Sequence, residues 1–206
     1  MLFIIPVTGE RPIKYEVLNL PAGLACDKNT GQITGVINNT GEYLMTFKAT
    51  NKKGSAEKAF KIVCGNTLAL TPYMGWNSWY VWENHVTDKI MRKAADAMVS
   101  SGMIDHGYMY VNIDDCWSIN PSANDSMLTG EQRDMNGRIN SNGSFPDIKA
   151  LTDSIHSQGL KAALYSSPGS FTFPAIVSSY IFDVQFFAIF VTWDYDFLSY
   201  ACCSSS

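Results

Sequence analysis

The spacing of apolar residues changes once along this chain, near Asn66, and that change limits it to two differently built parts. Before it, Ile13, Tyr15 and Val17 alternate with polar or outward neighbours, and Tyr43, Met45, Phe47 and Ala49 repeat the pattern. Period two marks half-buried strands. Turn signals recur at Pro21-Ala22-Gly23, Asn29-Thr30-Gly31, Asn39-Thr40-Gly41 and Asn51-Lys52-Lys53-Gly54, each supplying residues that tolerate positive φ. Short strands between regular turns imply an antiparallel β-sandwich over residues 1–65, whose first strand looks incomplete. A strand missing from its edge would leave unpaired N–H and C=O groups on a neighbour.

Helical periodicity takes over afterwards. Thr87 caps a helix whose apolar face is expected to carry Ile90, Ala94, Ala97 and Met98, and Gly102 stops it. A second helix begins at Pro146, shows Ile148, Leu151 and Ile155 on one face, and stops at Gly159. Between and after them, YMYVNIDDCW and LKAALYSS read as buried strands. Strand, helix, strand, helix, strand means parallel βαβ units, with strands near 73–76, 108–114, 161–166 and 195–200.

Composition narrows the function. With 206 residues, 46% hydrophobic and 17% charged, the chain has a core to bury and is not disordered. A net charge of −4 with scattered Lys and Arg offers no footprint for nucleic acid or an anionic membrane, so a neutral or small polar ligand fits better. Cys26, Cys64, Cys116, Cys202 and Cys203 form no CxxC pair and no His spacing for a tetrahedral metal, so buried or free thiols are expected and neither metal nor cofactor is assigned. His85, His106 and His156 read as solvated surface residues. The start, MLFIIPVTGERP, lacks a basic segment before its short apolar run, so no signal peptide is read and compartment stays open. Phe171 to Trp193 has the length of a membrane span, but Pro174, Ser178, Ser179, Asp183 and Gln185 interrupt it, so no span is expected.

In parallel α/β folds chemistry gathers where strands end, and three such ends are loaded. These are Gly75-Trp76-Asn77-Ser78-Trp79, then Asp114-Asp115 with Trp117 two residues on, then Tyr165-Ser166-Ser167-Pro168-Gly169. Indoles beside carboxylates suit a sugar, whose apolar face packs on a ring while its hydroxyls donate to the acids. Trp76 and Trp79 also fit a plain core role. Adjacent acids closing an apolar strand are harder to place without water, a cation or a ligand, though a solvated strand end remains the alternative.

Two stretches resemble known families. PVTGERPIKYEVLNLPAGLACDKNTGQITGVINNTGEYLMTFKATNKKGSAEKAFKIV is similar to the Ig-like domains that stand beside bacterial carbohydrate-active enzymes. Then GWNSW, ADAMVSSG, YVNIDDCW and FPDIKAL, in that order over residues 68–169, resemble melibiase-type α-galactosidases of glycoside hydrolase family 27, clan D. The resemblance implies a small Ig-like β-sandwich followed by about the first half of a (β/α)8 TIM barrel over residues 66–206, and a retaining hydrolase that releases terminal α-linked galactose from α-galactoside oligosaccharides. It implies Asp114 and Asp115 on the galactose 4- and 6-hydroxyls, Trp79 packing on the ring and Tyr165 lining the pocket, with Trp76, Trp117 and Ser199 as further candidates. It also implies a periplasmic or secreted setting.

The same comparison exposes departures. A motif like WGVDYLKYDWC carries the family's nucleophile, and Trp193 to Cys203 aligns with it so that the lysine becomes Ser199 and the nucleophilic aspartate becomes Ala201. Its acid/base aspartate falls on a later strand. Phe173 follows Thr172 where the family has Thr-Cys, Asn84 stands near the position of the usual partner of Cys116, and residues 170–206 resemble a reading-frame error or pseudogene end. The expectation is therefore an α-galactosidase fragment without activity, with a non-catalytic carbohydrate-binding or adhesive protein, or a pseudogene product, as the alternatives.

Overall fold

A computed structural model describes residues 1–67, 71–172 and 176–201. The readings on Phe173, Cys202, Cys203 and the terminal serines lie outside the described residues. Two compact units emerge, Met1–Met74 with Met98–Met109, and Gly75–Ala97 with Tyr110–Ser206.

In the first unit, two three-stranded antiparallel sheets face each other. One has the order β1-β4-β3, with β1 at Leu2–Ile4, β3 at Leu24–Cys26 and β4 at Gln32–Gly35. The other has the order β2-β5-β6, with β2 at Lys14–Leu18, β5 at Gly41–Asn51 and β6 at Gly54–Cys64. Alternation along β2 and β5 sends Tyr15, Met45 and Phe47 inward onto Ile5, Ile13 and Ile33, as the sequence pattern requires. Phe3, Phe47 and Phe60 form a ring cluster with centroids 4.5–6.0 Å apart. Each such aromatic pair adds about 0.5–1.5 kcal/mol beyond area burial. β4 is paired on both sides, by β1 and β3. Arg11 donates to Asp105 at 2.5 Å and to the Tyr15 hydroxyl at 2.8 Å, which draws the segment around Asp105 into this unit.

The second unit is built on a four-stranded parallel sheet of order β10-β9-β8-β7. These strands are β7 at Gly75–Asn77, β8 at Tyr110–Ile113, β9 at Lys161–Ser166 and β10 at Phe197–Tyr200. The short α1 at Trp79–Trp82 follows β7, and α3 at Ile148–Ser157 and α4 at Asp183–Thr192 precede β9 and β10. α2 at Asp88–Ser100 starts where Thr87 accepts from the Ile90 amide. Its buried residues are Met91, Ala95 and Met98, while Ala97 is exposed, so the expected face is rotated by one position. Alanine fits either side of a stripe, and Met91, not counted from sequence, is the side chain that sets it. Asp147 caps α3 by accepting from the Ala150 amide at 2.9 Å, and Ile148, Leu151 and Ile155 are buried as expected. Val111, Ile113, Ala162 and Leu164 are fully buried on one face of the sheet, each large side chain worth roughly 1.5–3 kcal/mol. Among the described residues no helix is long and apolar enough to cross a membrane; the suspected segment contains only α4, of 10 residues.

Gly35 sits at φ +127, and a Cβ there would lie 2.0 Å from the Gly23 carbonyl oxygen. Gly35→Ala is therefore expected to destabilise the β module by more than about 1 kcal/mol in thermal or urea unfolding, since both backbone conformation and space are incompatible with a side chain. Gly65→Ala, with nothing within 4 Å, should be close to neutral.

Candidate active site

Four parallel strands end on one side, and the loaded strand ends of the sequence come together there. Trp79, Tyr80, Asp114, Asp115, Tyr165 and Ala201 line a cleft of about 310 Å³. β7 reaches β8 closely because Gly75 has no side chain, a Cβ there lying 2.1 Å from the Tyr110 carbonyl oxygen. That approach brings Asn77 beside the end of β8.

Asn77 then serves two neighbours. Its Oδ1 accepts from the Trp79 amide at 2.8 Å, and its Nδ2 donates to Asp114 Oδ2 at 2.7 Å. The other Asp114 oxygen accepts from the Asp115 amide at 2.8 Å, and the Asp114 amide donates to Ser78 Oγ at 3.0 Å. Asp115 is 3% exposed; its Oδ1 accepts from the Cys116 amide at 2.8 Å and from the Thr172 hydroxyl at 3.0 Å. The chain bends sharply at this point, Cys116 having φ +71, and the aspartate side chain bonded to the next amide stabilises such a bend. Hydrogen bonds to a carboxylate are worth about 1.5–3 kcal/mol each, which is how two adjacent acids are held at the end of an apolar strand.

The other candidates fall elsewhere. Trp117 is 3% exposed, donates its Nε1 to the Tyr165 carbonyl at 3.0 Å and meets Trp193 edge to face, which makes it a strut behind the cleft. Trp76 pairs in register with Val111, on the face of the sheet opposite to Asn77. Ser199 stands opposite Tyr165 on β10 without lining the cleft, whereas Ala201, just past that strand, does line it. Sequence reasoning did not select Tyr80 or Thr172, and it named Asn77 and Ser78 only as parts of a motif. Ser78, fully buried, is the kind of polar residue whose role shows only once its partner is placed.

Residues 71–206 match the family model described as Alpha galactosidase A. The chain belongs to this family. Residues 3–65 match the He_PIG family of Ig domains, so an Ig-like domain precedes the N-terminal part of a glycoside hydrolase TIM-barrel fold. An α-galactosidase 3 of Arabidopsis thaliana is 40% identical over 145 residues, covering 69% of this chain and 31% of that protein. An α-galactosidase A of Cellvibrio japonicus is 41% identical over 140 residues, covering 67% and 32%. A crystal structure from Bacteroides fragilis, assigned as an α-galactosidase, superposes with TM-score 0.90 at 35% identity over 100% of this chain and 42% of its own. The chain thus spans about a third of the length of the curated relatives it matches.

The cleft also sets the behaviour of Cys116. Burial, and then the charges of Asp115 and Asp114, push its thiol up to about 12. In mildly alkaline iodoacetamide Cys116 should therefore be the last of the described cysteines to be alkylated, behind the half-buried Cys26 and Cys64, as peptide mass mapping would show.

Proposed function

We propose that residues 1–206 carry the galactose-recognising strands of a retaining α-galactosidase catalytic domain, behind an Ig-like module at about residues 1–65, and that they lack both catalytic carboxylates. The observation carrying this reading is the pair Asp114 and Asp115, held side by side by Asn77, Ser78 and Thr172 in a cleft with Trp79 and Tyr165. Carboxylates fixed this way accept from hydroxyls on a pyranose while the indole covers its apolar face. A site that pairs a buried carboxylate with an axial 4-hydroxyl leaves that acid unmatched by the equatorial isomer, which discriminates more strongly than apolar contact.

Hydrolysis with retention needs two carboxyl groups about 5–5.5 Å apart, one attacking and one acting as acid and base. The nucleophile position aligns with Ala201, whose methyl group cannot form a glycosyl-enzyme bond. Among the described residues of 66–206, four parallel strands stand in order where such a barrel has eight, which supports reading this part as the N-terminal half of the barrel.

The 206-residue chain should contact methyl α-galactoside in saturation-transfer NMR and ignore the α-glucoside, with the signal lost in Asp114→Asn and Asp115→Asn. Equal contact with both sugars, or none with either, would overturn the galactose assignment. The same chain should release no nitrophenol from p-nitrophenyl α-galactoside, and Ala201→Asp alone should not restore turnover, because the acid/base partner is still missing. Turnover by the unaltered chain that disappears in Asp115→Asn would show that the missing-nucleophile reading is wrong.

A further inference from the structure

Away from the cleft, at the C-terminal end of α3, the structure gathers donor atoms that the sugar chemistry does not use. Asp153 and His156 lie three positions apart and so share one face of the helix. Among the described residues, Asp153, His156 and Asp194 bring one ligand atom each to within 4.8 Å of one another. Asp194 comes from the loop before β10, and that loop is pinned to α3, since the buried Thr152 hydroxyl donates to the Trp193 carbonyl at 2.6 Å.

The imidazole is oriented from behind. Its Nε2 meets Asp196 Oδ2 at 2.8 Å, and because a carboxylate only accepts, Nε2 carries the hydrogen. Asp196 is itself fixed, its Oδ2 accepting from the Ala162 amide at 2.9 Å. This leaves Nδ1 facing Asp194 Oδ2 at 3.7 Å, too long for a hydrogen bond. A proton on the ring would answer Asp194 and Asp196 together, and a metal between Nδ1 and Asp194 is the other cation that fits the gap. His156, read from sequence as a solvated surface residue, has its side chain only 19% exposed, with Nε2 bonded to Asp196.

We infer that Asp153, His156 Nδ1 and Asp194 form a binding site for a divalent first-row transition ion of the zinc type, with Asp196 as the group that orients the imidazole. One imidazole and two carboxylates suit such an ion, leave a position for water, and cancel its charge. A carboxylate behind a metal-binding histidine is the usual orienting arrangement. With bonds of about 2.0–2.1 Å, tetrahedral donors stand about 3.3 Å apart, so the two aspartates must close in. Both are free to do so, with side chains 59% and 66% exposed. Lys149, which bonds Asp153, is the competitor the ion displaces.

The test is calorimetric titration of the 206-residue chain with zinc chloride at neutral pH after removal of metal by chelation. One ion per chain is expected, with an X-ray absorption spectrum of nitrogen and oxygen donors. Binding should vanish in His156→Gln, Asp153→Asn and Asp194→Asn, with circular dichroism confirming that each variant is folded. It should weaken about tenfold or more in Asp196→Asn. Lys149→Met, which removes the competing ammonium, should bind several-fold more tightly, an effect that chance adsorption would not produce. No saturable binding, binding unchanged in the Asp153 and Asp194 variants, or zinc held through sulfur would each overturn the inference.

Discussion

The cleft depends on both ends of one amide. Asn77 receives the amide of Trp79 with its oxygen and gives its nitrogen to Asp114, so a single side chain sets the start of α1 and the direction of the first acid. Without that donor, Asp114 would stand next to a second negative group at the end of an apolar strand and turn toward water. The amide reaches it only because β7 lies close enough to β8 to pair Asn77 with Asn112, and that closeness rests on the missing side chain of Gly75. Strand approach, amide placement and acid orientation therefore form one chain of dependence.

Much of this was legible in the sequence because it is local. Alternation located Tyr15, Met45 and Phe47 in the β core, and the apolar stretches ending in Asp114 and Tyr165 located two strand ends to within a residue or two. The helix start read at Pro146 lies one residue before the Asp147 cap. What stayed hidden is non-local. Thr172 reaches Asp115 across 57 residues and Asp196 reaches His156 across 40, separations at which sequence spacing carries no information. The rotated face of α2 failed for a different reason, since alanines contribute little to an apolar stripe and cannot fix its phase. Trp117 was ambiguous in the sequence because an indole suits a sugar platform and a structural strut equally well, and its bond to the Tyr165 carbonyl shows only once the fold is in place.

Charge is handled in two contrasting ways within the second unit. In the cleft, Asp115 is buried and its Oδ1 accepts from the Cys116 amide and the Thr172 hydroxyl. Neutral donors orient an acid while leaving it able to accept from a polar ligand. Near α3, Asp153, Asp194 and Asp196 surround an imidazole and a lysine, and the acids are met by groups able to carry positive charge. The first arrangement suits sugar hydroxyls and the second suits cations.

The β5–β6 hairpin has a kinetic consequence. Its register runs unbroken from Gly41 opposite Cys64 to Asn51 opposite Gly54, so successive pairs close like a zip from a two-residue turn, in which Asn51 Oδ1 accepts from the Lys53 amide at 2.8 Å. Each step encloses little new loop, and ordering entropy is recovered as it is lost. The parallel sheet has no such route, because every neighbouring pair of its strands is separated by dozens of residues. As the chain leaves the ribosome, all six strands of the β module emerge before β8, and the parallel sheet, with its distant pairings, assembles later.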